Sequence, residues 1–411
     1  MDAVHEPREK PMSALKKFIH NSLMPLGSLL TRFLPDKIPV TFVGSGAARE
    51  LCESIAHMRI EKALIVTDAV LVELGLAGQI VETLGEVGVA SAIYSGVLPD
   101  PTFTQVKEGL AILDEQGCDA ILALGGGSPM DASKLIAALA TNRVPLSKLE
   151  GMMKVRRTPM PLFAIPTTSG TGSEVTLAAV ISDPITHNKK FFADPKLLPS
   201  MVALDPSLTL GLPPAITAAT GMDALTHAVE SYISRTATEA TRGYARIATR
   251  LVFDNLEKAC SDGSDLEVRK AMSLASYYGG LAFTRTSVGY VHAIAHTFGA
   301  YYKTPHGLAN AIALPHVLDF SRTAAEEQLA ELADLVGAGG ANPGEKARNF
   351  IDAVRALMQR IDIPYTLDAL EENDIPAIAK QALDEAHLNY PVPRYMVQRE
   401  CEAILGQIVA S

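Results

Sequence analysis

A parallel α/β domain followed by an all-helical domain is the fold this sequence predicts, and three observations carry it. Up to about residue 205, short apolar runs alternate with amphipathic stretches of helical period. Strands alternating with helices imply a parallel sheet with crossover helices. A run of glycines, Gly125-Gly126-Gly127, comes directly off one of the apolar runs. After Asp205-Pro206, long segments of 3.6-residue period succeed one another and almost nothing reads as strand. The chain has 411 residues. Single cores seldom grow past roughly 250–300 residues, so division into two domains is expected.

Taken in order, residues 62–68 (KALIVTD) read as a buried strand and 70–88 as helix. Residues 90–94 read as strand, 102–116 as helix, 119–124 (DAILAL) as strand and 131–141 as helix, with a further short apolar run at 161–165. In the second half, helices are expected at 215–233, 238–259, 266–284, 288–301, 307–322, 324–335, 343–360, 374–386 and near 395–409. Residues 337–343 (GAGGANP) form a loop. The expected division is a 1–37 amphipathic extension, a 38–205 α/β dinucleotide-binding domain with a Rossmann-like sheet, and a 206–411 all-helical domain.

In the extension, Leu15, Phe18, Ile19, Leu23, Leu26, Leu29, Leu30, Phe33 and Leu34 are interspersed with Lys16, Lys17, Arg32 and Lys37. It lacks an uninterrupted apolar core and a small-residue cleavage site, so it is not a signal peptide. It is expected to pack on the protein's own surface or on a subunit neighbour, with a membrane-surface helix as the alternative.

The chain is 48% hydrophobic, carries a net charge of −10 and has a pI of about 5.5. That excludes the basic footprint of a nucleic-acid binder. The four cysteines, Cys52, Cys118, Cys260 and Cys401, are far apart and form no CxxC. No disulfide framework or thiolate metal site follows, and a reducing cytoplasm fits. No apolar run reaches the roughly 18–20 residues that span a bilayer, so no integral membrane span is expected.

Glycines let backbone approach a ligand closely, and a helix starting there presents free N–H groups and the positive end of its dipole. The turn Gly125-Gly126-Gly127-Ser128 therefore reads as a pyrophosphate cradle. Ser128 is expected as N-cap, Pro129 as the first helical residue, and Asp131 as partner in a capping-box-like arrangement. There is no Walker-spaced Gly-Lys-Ser/Thr, and the third glycine of the dinucleotide fingerprint is missing. Gly44-Ser45-Gly46 is a decoy, because Arg49 stands at its sixth position. Asp68 ends a strand, where an acid accepts hydrogen bonds from a ribose diol and repels a 2′-phosphate, which favours NAD over NADP. The loop Pro166-Thr167-Thr168-Ser169-Gly170-Thr171-Gly172-Ser173-Glu174 offers many short donors as the other side of the nucleotide cleft.

Five of the ten histidines lie between positions 227 and 316. Asp223 and His227 are four apart in GMDALTHAVE, as are His292 and His296 in VHAIAHTFG, and His306 follows in TPHGLAN. Residues at i and i+4 share a helix face. A carboxylate with neutral imidazoles suits a divalent first-row metal, with Fe, Zn, Mn, Ni and Co all open. The Glu after the first His of a zinc-protease motif is replaced by Ala293 in HAIAH, which excludes that chemistry.

These segments, GGGSPMDASK (125–134), PTTSGTGSE (166–174), GMDALTHAVE (221–230) and HAIAHTFGAYYKTPHG (292–307), closely resemble the signatures of the iron-containing (group III) alcohol dehydrogenases, in order and spacing from about residue 38 onward. The resemblance implies a dehydroquinate synthase-like two-domain architecture with a metal and nicotinamide cleft between the domains. It implies Asp223, His227, His292 and His306 as metal ligands, and His296 as a catalytic histidine beside them that does not ligate. It implies cofactor contacts from Asp68, Gly126, Gly127, Ser128, Thr167 and Thr168, and from Asp131 and Lys190. The His at 227 favours Fe²⁺, with Zn²⁺ the alternative, since zinc binds most N/O sites more tightly. The implied reaction is hydride transfer between an alcohol, expected to be primary, and NAD, with the metal as Lewis acid. The implied substrate is a small-molecule alcohol or aldehyde, and the implied state a homo-oligomer in the cytoplasm. Phe283, Val288, Phe298 and Tyr302 are expected to line an apolar pocket. Two alternatives stand beside this reading: a dehydroquinate-synthase-type NAD/metal lyase, for which only Arg285 and Lys303 supply cations near the ligands, and a metal-independent reductase on the same fold.

Overall fold

A computed structural model describes residues 37–183 and 189–410. The expected extension lies outside the described residues except for Lys37.

The first half runs β1 (Val40–Val43), α1 (Ala47–His57), β2 (Lys62–Val66), α2 (Ala69–Glu73), α3 (Leu76–Glu86), β3 (Ala90–Tyr94), α4 (Phe103–Gln116), β4 (Ala120–Gly125) and α5 (Gly127–Asn142). It continues with β5 (Gly151–Met152), β6 (Leu162–Pro166), β7 (Ala178–Ser182), β8 (Lys189–Ala193) and β9 (Met201–Leu204). Six strands form an all-parallel sheet in the order β1-β9-β6-β4-β2-β3. The other three form a small mixed sheet, β5-β8-β7.

Period-2 alternation decides which side chains meet which layer. Ala63 and Ile65 of β2 face a core built with Leu51, Ile55, Ile80 and Leu84 of α1 and α3. Leu64 and Val66 face the opposite core, with Leu113 of α4 and Leu135 and Ile136 of α5. Helices α3 and α5, which follow adjacent strands β2 and β4, thus cover opposite faces. Between those two strands the chain switches direction, and at such a point the carboxyl ends of the strands open a crevice.

Glycine placement accounts for two local features. The stretch expected as one helix over 70–88 is two, because Gly75 adopts φ 79 and ends the first. The Gly44-Ser45-Gly46 turn presents no free anion site: the N–H groups of Gly46 and Ala48 donate to Asp205 Oδ2 at 3.0 and 3.2 Å.

The second half is helical: α6 (Pro214–Ile233), α7 (Glu239–Ser261), α8 (Leu266–Thr286), α9 (Tyr290–Tyr302), α10 (His306–Ser321), α11 (Glu326–Leu335), α12 (Pro343–Arg360), α13 (Ile375–Asn389) and α14 (Gln398–Ile408). One continuous core joins them, from Met222 and Val229 through Phe298 and Leu314 to Phe350 and Leu405. No described helix is long and apolar enough to cross a membrane.

Two close approaches set the site. A Cβ on Gly307 would stand 2.3 Å from the Ala219 carbonyl oxygen, so the start of α10 lies against α6. A Cβ on Gly280 would stand 2.6 Å from the Gly172 carbonyl oxygen, so the loop after β6 lies against α8. Either added methyl would meet backbone, which yields less readily than a side chain.

Candidate active site

Helix α6 carries Asp223 and His227 one turn apart, α9 carries His292, and α10 opens on His306. Their donor atoms converge. Nε2 of His292 lies 3.0 Å from Nε2 of His227 and 3.8 Å from Oδ1 of Asp223. Nε2 of His306 lies 3.6 Å from the same oxygen. Donors about 2.0–2.3 Å from a shared tetrahedral cation would stand roughly 3.3–3.8 Å apart, and these separations bracket that range. Among the described residues Asp223, His227 and His292 form the candidate cation-binding group, with His306 beside them.

The tautomers explain why a cation fits. Nδ1 of His227 faces the Gly170 carbonyl oxygen at 3.2 Å, and Nδ1 of His292 faces Glu230 Oε2 at 2.7 Å. Both acceptors require the proton on Nδ1, which leaves two bare Nε2 lone pairs opposed at 3.0 Å. That arrangement is repulsive unless a cation sits among the donors. Asn310 Nδ2 donates to Asp223 Oδ1 at 2.7 Å, while its own Oδ1 is buried without a partner. The site is dry: the side chains of Asp223 and His292 are each 3% exposed, against 39% for His306. One partly open position among closed ones suits a catalytic metal better than a structural one.

Burial dominates the electrostatics. It pushes Asp223 up to about 7, against the hydrogen bond from Asn310 and with the nearby Glu230 charge. It pushes Glu230 up to about 7 as well, against three hydrogen bonds. It holds His227, His292 and His306 well below the usual imidazole value, assisted by neighbouring imidazoles, His296 among them in each case. All three rings are therefore neutral and able to ligate near pH 7.

Glu230 is the functional residue that reading the sequence missed. It accepts from the N–H groups of Gly289 and Val291 at 2.8 Å each and from His292. It thus ties the α8–α9 turn to α6 while orienting a ligand, a carboxylate–histidine–metal arrangement. The signal was present: Glu230 follows His227 by three residues and Asp223 by seven, on one helical face. Glu230→Gln is expected to weaken zinc affinity about 10–100-fold, read by competition with a chromophoric chelator, because an amide cannot accept from all three donors.

The residues expected to contact a dinucleotide at 68, 126–128 and 167–168 follow the carboxyl ends of β2, β4 and β6. Asp68 follows β2 and accepts from the Leu71 N–H at 2.9 Å, capping α2. Gly125, φ 143, has no room for a Cβ, which would meet Pro129 at 2.6 Å. Gly126 and Gly127 face Thr168 and Thr171, each with only 3.1 Å for an added Cβ. The Thr167 N–H donates to the Gly125 carbonyl at 3.1 Å, so the two loops expected to flank the nucleotide abut.

Several expectations are corrected. Ser128 does not cap α5: the helix starts at Gly127, with Gly126 as N-cap and no side-chain cap bond, so its first N–H groups lack a side-chain partner at the N-cap. Asp131 forms no capping box. Its Oδ1 accepts from Ser173 Oγ at 2.7 Å and its Oδ2 from the Val180 N–H at 2.9 Å, holding the 166–182 segment onto α5. The fully buried Lys134, lowered to about 8 by burial, adds bonds to Ser173, Thr176 and the Ala178 carbonyl. Lys190 reaches Glu150 at 3.1 Å. It is the neighbouring Lys189, paired with Asp100 at 3.1 Å, whose charge acts on His306 and Glu385. Alternate strand residues face opposite sides, which separates the two lysines. Of the expected pocket residues, Phe283 stacks on His227 at 4.1 Å and 15°. Phe298 is fully buried in the helical core, and the Tyr302 hydroxyl donates to Asp374 at 2.7 Å. His296 stands beside the donors, its ring stacked on His306 at 5.4 Å and 18°.

A family model described as iron-containing alcohol dehydrogenase matches residues 39–206, and one described as the C-terminal part of the Fe-containing alcohol dehydrogenase family matches 217–409. The chain is 37% identical to the NAD-dependent methanol dehydrogenase of Bacillus methanolicus over 357 residues, 86% of this chain and 93% of that protein. It is 38% identical to the lactaldehyde reductase of Escherichia coli K12 over 348 residues, 83% of this chain and 91% of that one. The solved structure of a 1,3-propanediol oxidoreductase superposes with a TM-score of 0.88 at 39% identity, covering 90% of this chain and 98% of the other.

Proposed function

The chain belongs to the iron-containing alcohol dehydrogenase family, and from that premise we propose that Asp223, His227, His292 and His306 hold one divalent cation beside a dinucleotide seated on residues 125–128 and 167–172. The protein is an NAD-dependent oxidoreductase acting on alcohols and aldehydes, using iron or another divalent metal, on a dehydroquinate synthase-like architecture. The observation that carries the site assignment is the pair of bare Nε2 atoms at 3.0 Å next to a buried carboxylate.

When bound, the cation supplies Lewis-acid polarisation of the substrate oxygen and the dinucleotide supplies the hydride acceptor. The chain's own residues do the rest. Gly170 and Glu230 lock the tautomers of His227 and His292. Since Gly170 belongs to the nucleotide loop, one hydrogen bond links the two binding regions. Phe283 covers the face of His227 and keeps water from it. The N-terminus of α5 faces the pyrophosphate, and Asp68 the ribose diol. Asp131 and Lys190 act at one remove, through the loops they brace.

The substrate we assign is a small primary alcohol or its aldehyde. Support comes from the relatives named for methanol and lactaldehyde and from the aromatic wall at Phe283. Four free cysteines fit a reducing cytoplasm. Exposed Val40 and Val43 on edge strand β1, with exposed Ile38 just before it, favour self-association as a homo-oligomer.

Coenzyme-linked oxidation of a panel of small alcohols tests this reading, run with NAD and NADP on wild type and Asp68→Ser. Serine keeps the cap on α2 and removes the charge. Wild type should prefer NAD, and the variant's kcat/KM ratio for NADP over NAD should rise at least about tenfold, since about 1.4 kcal/mol of repulsion corresponds to that factor. Coenzyme reduction with none of the alcohols would overturn the proposal.

A further inference from the structure

Outside the four-donor group, the chain places one more imidazole against it, with partners of its own. Nδ1 of His296 lies 2.7 Å from Oε1 of Glu385, and the Tyr390 hydroxyl donates to that same oxygen. Glu385 sits on α13, which packs against α9, and Tyr390 follows at the C-cap of the same helix. Tyr390 is an O–H donor and the carboxylate an acceptor, so the hydrogen shared with the ring belongs to Nδ1. Burial raises Glu385, and its interaction with His296 and the hydrogen bond from the Tyr390 hydroxyl more than offset it, keeping the group below the usual glutamate range.

The other ring nitrogen is different. Nε2 of His296 has no hydrogen-bond partner among the described residues, and the side chain is 21% exposed. Its ring lies nearly parallel to that of His306 and edge-on to that of His292, at 71° and 6.1 Å between centroids. An imidazole pinned at one nitrogen and unpartnered at the other, against two ligand rings, is held to accept a hydrogen bond there.

We propose that Glu385, braced by Tyr390, is a positioning residue: it fixes His296 with the proton on Nδ1, so that Nε2 is presented bare to the cleft as acceptor for the substrate hydroxyl. The inference rests on the four-donor reading above, since it places the hydroxyl beside those ligands. No bond to carbon is made or broken in this step. The hydroxyl donates, Nε2 accepts, and Glu385 retains the Nδ1 hydrogen bond throughout.

The test uses the zinc-loaded full-length protein with ¹⁵N-labelled histidine, in wild type, Glu385→Gln, Glu385→Leu, His296→Ala and the Glu385→Leu/His296→Ala double variant. Wild type and Glu385→Gln, whose amide oxygen still accepts from Nδ1, should show the His296 signals of the Nδ1–H tautomer. Glu385→Leu should show a mixture of tautomers. Glu385→Leu should lower kcat about tenfold or more, Glu385→Gln should retain most of it, and Glu385→Leu should cost nothing further once His296 is alanine. All variants should keep wild-type zinc content. An equal loss of kcat from Glu385→Leu in the His296→Ala background, or an unchanged tautomer in Glu385→Leu, would overturn the assignment. Loss of zinc from wild-type protein under mild dialysis would instead count against the four-donor site, which keeps the two failures distinct.

Discussion

Asp223→Ala should purify with less than about a tenth of the wild-type metal content and turn over at least about 10³-fold more slowly, because a catalytic site stripped of its only anionic ligand neither holds nor neutralises the cation. The fold should survive. Alanine is the best helix former, and the acid it replaces is buried and pushed up to about 7. Removing it relieves a desolvation penalty in the metal-free state. Its loss leaves Asn310 Nδ2 with only His306 Nε2, at 3.1 Å, as acceptor, a modest cost of about 1 kcal/mol. Metal analysis, kcat and the thermal midpoint after chelation separate these effects. Wild-type turnover by Asp223→Ala in chelator-treated buffer would refute the site.

That much of the site was readable in one dimension has a physical reason. The ligand pair Asp223 and His227, and the pair His292 and His296, obey helical spacing, so each declared its own face before any tertiary structure was known. The turn after DAILAL was equally legible, since three successive glycines have few other uses. The frame around them was less so. Strands Val40–Val43 and Met201–Leu204 are four residues long and give no periodicity to read. The antiparallel pairing of β7 with β8 is a non-local property that local periodicity does not report.

The misplaced residues share a cause. Lys190 and Lys189 differ by one position, and the strand sets them on opposite sides, Lys190 pairing with Glu150 and Lys189 with Asp100. Ser128 has the right chemistry for a cap, but the backbone turns helical one residue earlier, at Gly127. Phe298 lies on the same helix as His292 and His296, and proximity in sequence suggested the pocket where packing gave it to the core. Glu230 and Asn310 are polar residues that bond to ligands and not to the cation. Helical spacing announced the face of Glu230, but its partners, and the role of Asn310, become visible only when the α8–α9 turn and α10 are folded against α6.

The same buried acids predict how metal affinity depends on pH. Asp223 and Glu230 have folded-state values of about 7, above the ordinary carboxylate range. In metal-free protein their contribution to stability is complete below about pH 4 and is lost as pH rises through about 7. The three histidines have the opposite sign. Held well below their ordinary value, they contribute stability that is present above about pH 6.5 and is lost as pH falls through their folded values. A cation needs the carboxylate ionised and the imidazoles neutral. Burial favours the neutral rings and the protonated Asp223 alike, so between pH 5 and 7 the proton released on binding comes from Asp223. Zinc affinity should therefore strengthen about tenfold per pH unit over that range, close to a hundredfold in all, and level off above about 7. A slope approaching two decades per unit would mean that Glu230 ionises in the same step. Calorimetric zinc titrations in buffers of different ionisation enthalpy count the protons directly. Four exposed, independent ligands would instead release protons near pH 6.5 from the histidines, and a midpoint there, or no proton release between pH 5 and 7, would show that burial does not govern this site.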